Sequence, residues 1–413
     1  MSNNSLPMAR RYMDSVYHDL FMPEETQRIR EEVRAFADRE VRPLAREIGS
    51  RTEAVENFPW ELLRKMGDSG ILGIPFGKEY GGRGLEYPAC GTIVALEELG
   101  YVSDSVAAIM DVQVILSGNA ISYGSEHLKQ TYLTKLITGE AAGCFATTEP
   151  DASTDLRVAT IQTSAEQQPD GSWVVNGRKR FITSAPVAHF VALLCRTGDA
   201  LTQLLVPLDL PGVTRGRPDI KIGNKGQLTC DLFFENVVIP AANQIGEIGQ
   251  GLKISLGTLA FGRIGIGATG VGMAQSAFDE TVDYIKRRQA FGKTISQYQY
   301  WQFKIADWMT MIENARNLTY KAALRRDREG VYAEPESAMA KSYATEAAAV
   351  IAKDAIQAFG GYGYMLELGT EPDAYYKVNE LYRDAKITEI YEGTNEIQKI
   401  IMLRDVFDKN DLK

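Results

Sequence analysis

The chain has 413 residues, 45% of them hydrophobic and 24% charged, with a formal net charge of −9. It is too long for one ordinary core and has the balance of a soluble globular protein, and its acidic surplus excludes the basic footprint of a nucleic-acid binder. Four cysteines (Cys90, Cys144, Cys195, Cys230) and three histidines (His18, His127, His189) stand far apart, which leaves no ligand set for zinc or haem. No GxSxG motif is present to suggest a serine nucleophile. The sparse thiols fit a reducing compartment, the first residues lack the apolar core of a secretory signal, and no run approaches the length of a membrane span, so a cytoplasmic enzyme is expected.

In chain order, residues 22–140 read as helical, within an N-terminal domain of residues 1–140. The stretch EETQRIREEVRAFADREVRPLAREI carries Ile29, Val33, Phe36, Val41 and Leu44 near a helical period, with charges between them. Residues 76–87, FGKEYGGRGLEY, form a glycine-rich loop. From 141 to 250 the period changes to two, with strands predicted at 189–197, 202–209 and 230–240. Asn176-Gly177, between two strand-like runs, predicts a hairpin turn. From 251 to 413 the helical period returns. Long helices are predicted from 251 and from 295, and a third spans ESAMAKSYATEAAAVIAKDAIQAFGG with Met339, Tyr343, Ala347, Val350 and Ile351 on one stripe. A fourth follows Asn395, and together they suggest a bundle. The expected fold is mostly α: an N-terminal helical domain, a middle β-barrel-like domain and a C-terminal four-helix bundle.

GIGATG (265–270) matches the dinucleotide fingerprint GxGxxG, but no strand precedes it and no βαβ unit surrounds it. Small residues at this spacing predict close helix packing instead.

Five motifs stand in order on this frame: CFATTEPDASTDL (144–156), KRFITSAP (179–186), RRQAFGK (287–293) with Gln299 behind it, QAFGGYGY (357–364) and YEGTNEIQ (391–398). Together they resemble the acyl-CoA dehydrogenase family from about residue 22 to 407. The resemblance implies FAD held without a Rossmann fold. It would be met by Phe145, Ala146, Thr147, Thr148, Phe181, Ile182 and Thr183, with Thr394, Asn395 and Glu396 closing the same subunit's site. Arg288, Phe291, Gln299 and the segment from Gln357 to Gly361, including Gly360, would reach the cofactor of a neighbouring subunit, so a homotetramer is implied. A guanidinium and backbone N–H groups at a helix start are the groups a pyrophosphate wants. Glu392 is where most of the family keeps its catalytic base, which takes the α-proton of a thioester while a hydride leaves the β-carbon for flavin N5. Gly393 leaves room for the thioester. Some members carry the base on the first bundle helix, immediately before an arginine; here that pair is Gly262-Arg263, so Glu392 has no rival, and Arg263 is expected beside the active site.

The sequence departs from the family at several points. Thr154 replaces a serine that touches the pantetheine arm, Ala260 an acidic residue, and Phe181 a tryptophan. The arginine that holds a glutaryl carboxylate aligns with Ala107, which argues against a dicarboxylyl substrate. Asp111, in the otherwise apolar VAAIMDVQVIL, is costly to bury unless it is paired or protonated. One reading pairs it with an arginine or places it outside the pocket. The other makes it a working acid in the acyl pocket, suited to a ring acyl group such as a cyclohexane- or cyclohexene-carboxyl thioester.

The expected activity is α,β-dehydrogenation of an acyl-CoA or acyl-carrier thioester, with electrons passed to an electron-transfer flavoprotein and with neither nucleic acid nor membrane as partner. An enoyl thioester reductase, an acyl oxidase and a non-catalytic assembly subunit of the same fold are the alternatives.

Overall fold

The computed structural model describes residues 10–12, 22–153, 155–330, 334–371, 374–404 and 406–407. Three bodies follow one another along the chain. Glu24–Phe36 buries Ile29, Val33 and Phe36 against the helix Pro88–Val102, and Asp104–Asp111 then runs through the core. The expected stripe holds up to Val41; Leu44 is exposed, and Ala45 and Ile48 take the inward positions.

The middle body is an eight-stranded sheet. Its strands are β1 (Gly143–Ala146), β2 (Ser164–Gln167), β3 (Trp173–Thr183), β4 (Phe190–Thr197), β5 (Ala200–Pro207), β6 (Val213–Arg215), β7 (Thr229–Ile239) and β8 (Gln244–Ile245). The order is β6-β7-β3-β2-β4-β5-β8, with β1 parallel to β4. The expected turn at Asn176-Gly177 does not exist. β3 runs straight through it, and the pair forms an irregularity in the register with β7. Gly177 sits at φ 148° because a Cβ there would fall 2.5 Å from Thr163 Cα, while Asn176 Oδ1 accepts a bond from Asn236 N at 2.7 Å. Asn-Gly supplies the backbone freedom that a bulge needs as readily as that of a turn. The hairpin closes at Gln168–Ser172 instead, where Gly171 has φ 84°.

The last body is helical: Gly251–Arg287, Gln299–Glu329, Glu334–Phe359, Val378–Thr388 and Asn395–Leu403. The helix Val378–Thr388 was absent from the sequence reading. GIGATG lies inside the first of these helices. Gly267 packs on Ala340 and Gly270 on Ala344, so the glycines permit close helix approach, as expected. On Glu334–Phe359, Met339 and Val350 are exposed; the inward face is built from Ala340, Ala344, Ala347, Ala348 and Ile351. Contrary to the sequence expectation, two helices, Asp104–Ser122 and Gly251–Arg287, are long and apolar enough to cross a membrane. In each, 89% of the apolar window is buried within the protein, which is where core helices put it.

All four cysteines are free and buried.

Candidate active site

A cavity of about 1180 Å³ opens between the sheet and the helical bodies. Its sheet wall is Phe145, Thr147, Thr148, Phe181, Ile182 and Thr183. Two devices shape that wall. Glu149 accepts bonds from Gln162 N (2.6 Å), Thr163 N (2.9 Å) and the buried Lys179 Nζ (2.8 Å), which fixes the loop after β1. Phe181, at φ 59°, turns its ring outward, under the Arg180 guanidinium at 4.4 Å. Leu252, Leu256 and Leu259 of the helix Gly251–Arg287 and the buried Ala108, Val112 and Leu116 complete the lining.

Glu392 enters this cavity on a sharp loop. It has φ 54° and Gly393 φ 87°, so two successive residues are left-handed, and a non-glycine residue held so costs about 1–2 kcal/mol. The loop is held from beneath. Gly393 O accepts bonds from Lys341 Nζ (3.0 Å) and Gln398 Nε2 (2.7 Å). Lys341 Nζ also donates to Asn395 Oδ1 (2.9 Å), and Asn395 Nδ2 donates to Thr345 Oγ1 (3.0 Å). Lys341 is fully buried, and burial pulls its pKa down to about 7 against the opposing pull of Glu392. The sequence reading missed it. The available signal was a lone cation on the alanine-rich inner face of its helix.

The carboxyl of Glu392 rests in a notch of the helix Gly251–Arg287. A Cβ on Gly262 would collide with its Oε2, and one on Gly265 would meet Asp111 Oδ1 at 2.5 Å. Residues three apart share a helix face, so the two glycines make room for two carboxyl groups side by side. Asp111 is only 1% exposed. Among the described residues neither it nor Glu392 makes an ion pair, and Asp111 Oδ1 and Glu392 Oε2 are buried without a hydrogen-bond partner. Burial, then the neighbouring Glu392, push Asp111 well above the usual carboxylate range. Burial raises Glu392 to about 7, moderated by the adjacent Asp111 carboxyl and by the charges of Lys341 and Arg263. Two close carboxyls that cannot both ionise hold one proton between them. This overturns the reading of Asp111 as an arginine partner or as a residue outside the pocket. Arg263 lines the cavity, buried, with Nη1 3.5 Å from Glu334 Oε1.

Gly393 and Thr394 also line the cavity. Ala146 lies behind the wall, Asn395 is buried beneath the loop and Glu396 faces solvent; Thr154 lies outside the described residues. Arg288, Phe291, Gln299, Gln357, Gly360 and Gly361 are elsewhere. Arg288 follows Gly262 by 26 positions, about 39 Å along a helix. Phe291 is 98% exposed, and a Cβ on Gly360 or Gly361 would meet open space. One chain therefore does not bring these six to this cavity.

The wall suits a flavin. Phe145, Ile182 and the leucines supply apolar surface for the ring, and Thr147, Thr148 and Thr183 supply hydroxyls for its polar edge.

Comparison with known proteins agrees with this geometry. Three family models match: the acyl-CoA dehydrogenase N-terminal domain over residues 23–140, the middle domain over 144–237 and the C-terminal domain over 249–407. The human mitochondrial short-chain specific acyl-CoA dehydrogenase is 38% identical over 402 residues, 96% of this chain and 93% of that protein. Butyryl-CoA dehydrogenase from Megasphaera elsdenii is 34% identical, with a TM-score of 0.86 over 94% of this chain and all (100%) of that one. A glutaryl-CoA dehydrogenase from Mycobacterium smegmatis, solved in complex with FADH2, is 27% identical with a TM-score of 0.86, over 96% of this chain and 98% of that one.

Proposed function

The chain belongs to the acyl-CoA dehydrogenase family, a flavoprotein oxidoreductase that uses FAD and acts on the CH–CH bond of an acyl-CoA, and from that premise we propose that Glu392 is its catalytic base and that its acyl group is short or alicyclic. The observation that carries this is the Glu392 carboxyl itself. It lines the cavity on a loop held in a costly conformation, with an unpartnered oxygen and a pKa raised by burial to about 7. A base is most effective when its pKa lies near the working pH.

FAD, when bound, accepts the hydride from the β-carbon. The protein's residues do the rest. Phe145, Phe181, Ile182, Thr147, Thr148 and Thr183 would hold the ring. Glu392 Oε2 takes the α-proton, and Gly262 and Gly393 keep its approach clear of side chains. The charges of Lys341 and Arg263 favour the ionised form of Glu392, so the base is available despite its burial. The apolar lining excludes water and so strengthens the pull of Lys341 and Arg263 on Glu392.

Two further parts of the reading concern assembly. Arg288, Phe291, Gln299, Gln357, Gly360 and Gly361 serve the flavin of a neighbouring copy in a homotetramer; the length of helix between Gly262, beside Glu392, and Arg288 supports this. Electrons leave to an electron-transfer flavoprotein, as the family resemblance implies.

Asp111 favours a ring acyl group. A saturated linear chain offers this buried acid only inert C–H bonds. A cyclohexene-carboxyl thioester whose double bond is conjugated with the carbonyl has no α-hydrogen but has an acidified γ C–H, and so gives Asp111 a proton to handle. The test is anaerobic visible absorption of the flavin-loaded protein, titrated with butyryl-, octanoyl-, benzylsuccinyl-, cyclohexanecarboxyl- and cyclohexenecarboxyl-CoA. Bleaching by butyryl- or a ring thioester is expected; bleaching by cyclohexenecarboxyl-CoA that is lost in Asp111→Asn supports the ring reading. Bleaching by octanoyl-CoA alone would overturn the short or alicyclic assignment, and bleaching by none would overturn the dehydrogenase direction.

A further inference from the structure

Behind Glu392 lies a second polar feature that the reaction as described does not use. Asp104 is two helical turns before Asp111 on the same helix, about 10 Å away along its axis. Asp104 Oδ2 accepts a bond from Asn224 Nδ2 at 3.1 Å, and Asn224 N donates to Asp384 Oδ1 at 2.6 Å. Asp384 lies one helical turn beyond Glu380, which accepts a hydrogen bond from the half-buried Tyr375 hydroxyl. Tyr391 adjoins Glu392 in the chain, and its buried hydroxyl feels the charges of Asp104, Glu392, Asp111 and Asp384.

The polar atoms of this line are left without partners. Asp111 Oδ1, Tyr391 Oη, Asp104 Oδ1 and Asn224 Oδ1 are all buried, and none has a hydrogen bond. Asp111, Asp104 and Asn224 are each at least nine-tenths buried. Over nine-tenths of buried polar groups are paired in native proteins, and clusters of orphans are where ordered water sits.

We propose that Tyr391 and Asp104, bridged by buried water that Asn224 Oδ1 helps to hold, form a proton path that carries the α-proton from the Glu392–Asp111 pair to Asp384, Glu380 and the protein surface at Tyr375. The path rests on Glu392 being the base. It answers a need of that reaction: with flavin and thioester filling the cavity, the proton on Glu392 cannot leave by the mouth. The α C–H bond breaks with its electron pair retained by carbon, and the proton bonds to Glu392. Each later step breaks one O–H bond and forms another, so that one proton reaches solvent and no co-reactant is consumed. The line holds protons well: burial pushes Asp104 far above the carboxylate range, Glu380 to about 7 and Asp384 to about 6.

The test separates proton removal from proton escape. The probe is 3-thiabutyryl-CoA, whose α-hydrogens are acidic but whose β-position is sulfur and has no hydride to give. The flavin-loaded protein is mixed with it in D2O, and deuterium at the α-carbon is followed by mass spectrometry. Flavin bleaching by butyryl-CoA in a single turnover reports proton removal in the same preparations. Exchange at least tenfold slower in Asp104→Asn, with bleaching changed much less, is the expected result. Tyr391→Phe, which deletes only an unpartnered hydroxyl, gives the same separation if Asp104→Asn does not fold. Exchange at the wild-type rate in Tyr391→Phe overturns the path and leaves Glu392 as the base. Exchange and bleaching that both survive Glu392→Gln instead overturn the base assignment beneath it.

Discussion

Two pairs of buried carboxylates stand in the same helical core and were given opposite company. Glu98 receives Arg11 at 2.8 Å, Arg30 at 3.1 Å and Arg34 at 3.1 Å, and Glu97 receives Arg316 at 3.1 Å and the Tyr320 hydroxyl at 2.5 Å. Burial alone would raise Glu98, but these guanidiniums hold it down to about 2. Asp111 and Glu392 have only each other and the longer-range pull of Lys341 and Arg263, and Glu392 rises to about 7. Burial is common to both pairs. The difference in contacts makes one a permanent set of charges that ties helices together and the other an acid–base pair that can change its charge at working pH.

The comparison can be broken from either side. Removing a cation from the first pair carries the largest expected effect. Arg30→Met leaves a buried carboxylate short of its partner and is expected to cost about 3–5 kcal/mol in denaturant unfolding. The rate of flavin bleaching per folded molecule should hardly change. A loss below 1 kcal/mol, read against the mutational norm, would mean that the network is redundant. Next comes the notch. Gly262→Ala sets a methyl group where the Glu392 carboxyl lies. Bleaching should slow by about 10²-fold, the usual consequence of moving a reacting group by an ångström, with unfolding little affected. Wild-type bleaching would show that Glu392 works from another position.

Much of this was legible in the residues. The motif order identified the frame and put Glu392 at a break in the chain, and Gly262 was visible as a position without a side chain. What was not legible was company. Asp111 read as an anomaly in an apolar helix, but only the fold shows that Glu392, 281 positions later, is what it faces. Lys341 sits on a face where alanine is the rule, and its target, Gly393 O, is backbone and carries no sequence signal. Asn176-Gly177 misled because the same backbone freedom serves a turn or a bulge, and Thr163, which excludes a Cβ there, comes from a different strand region. The six residues remote from the cavity are complete in sequence, but one chain does not bring them to it.

The most direct test of the central claim is the pH dependence of the single-turnover bleaching rate with a thioester that the protein accepts, in the flavin-loaded wild type and in Glu392→Gln. Burial raises Glu392 above the ordinary carboxylate range, and only its ionised form can take a proton, so the rate should climb with pH through a midpoint near 7. Glu392→Gln should retain FAD and lose at least 10³-fold of that rate, within the range that general-base removal costs. A flat profile between pH 5.5 and 8.5, or a glutamine variant that bleaches at the wild-type rate, would contradict the assignment of Glu392 as the base.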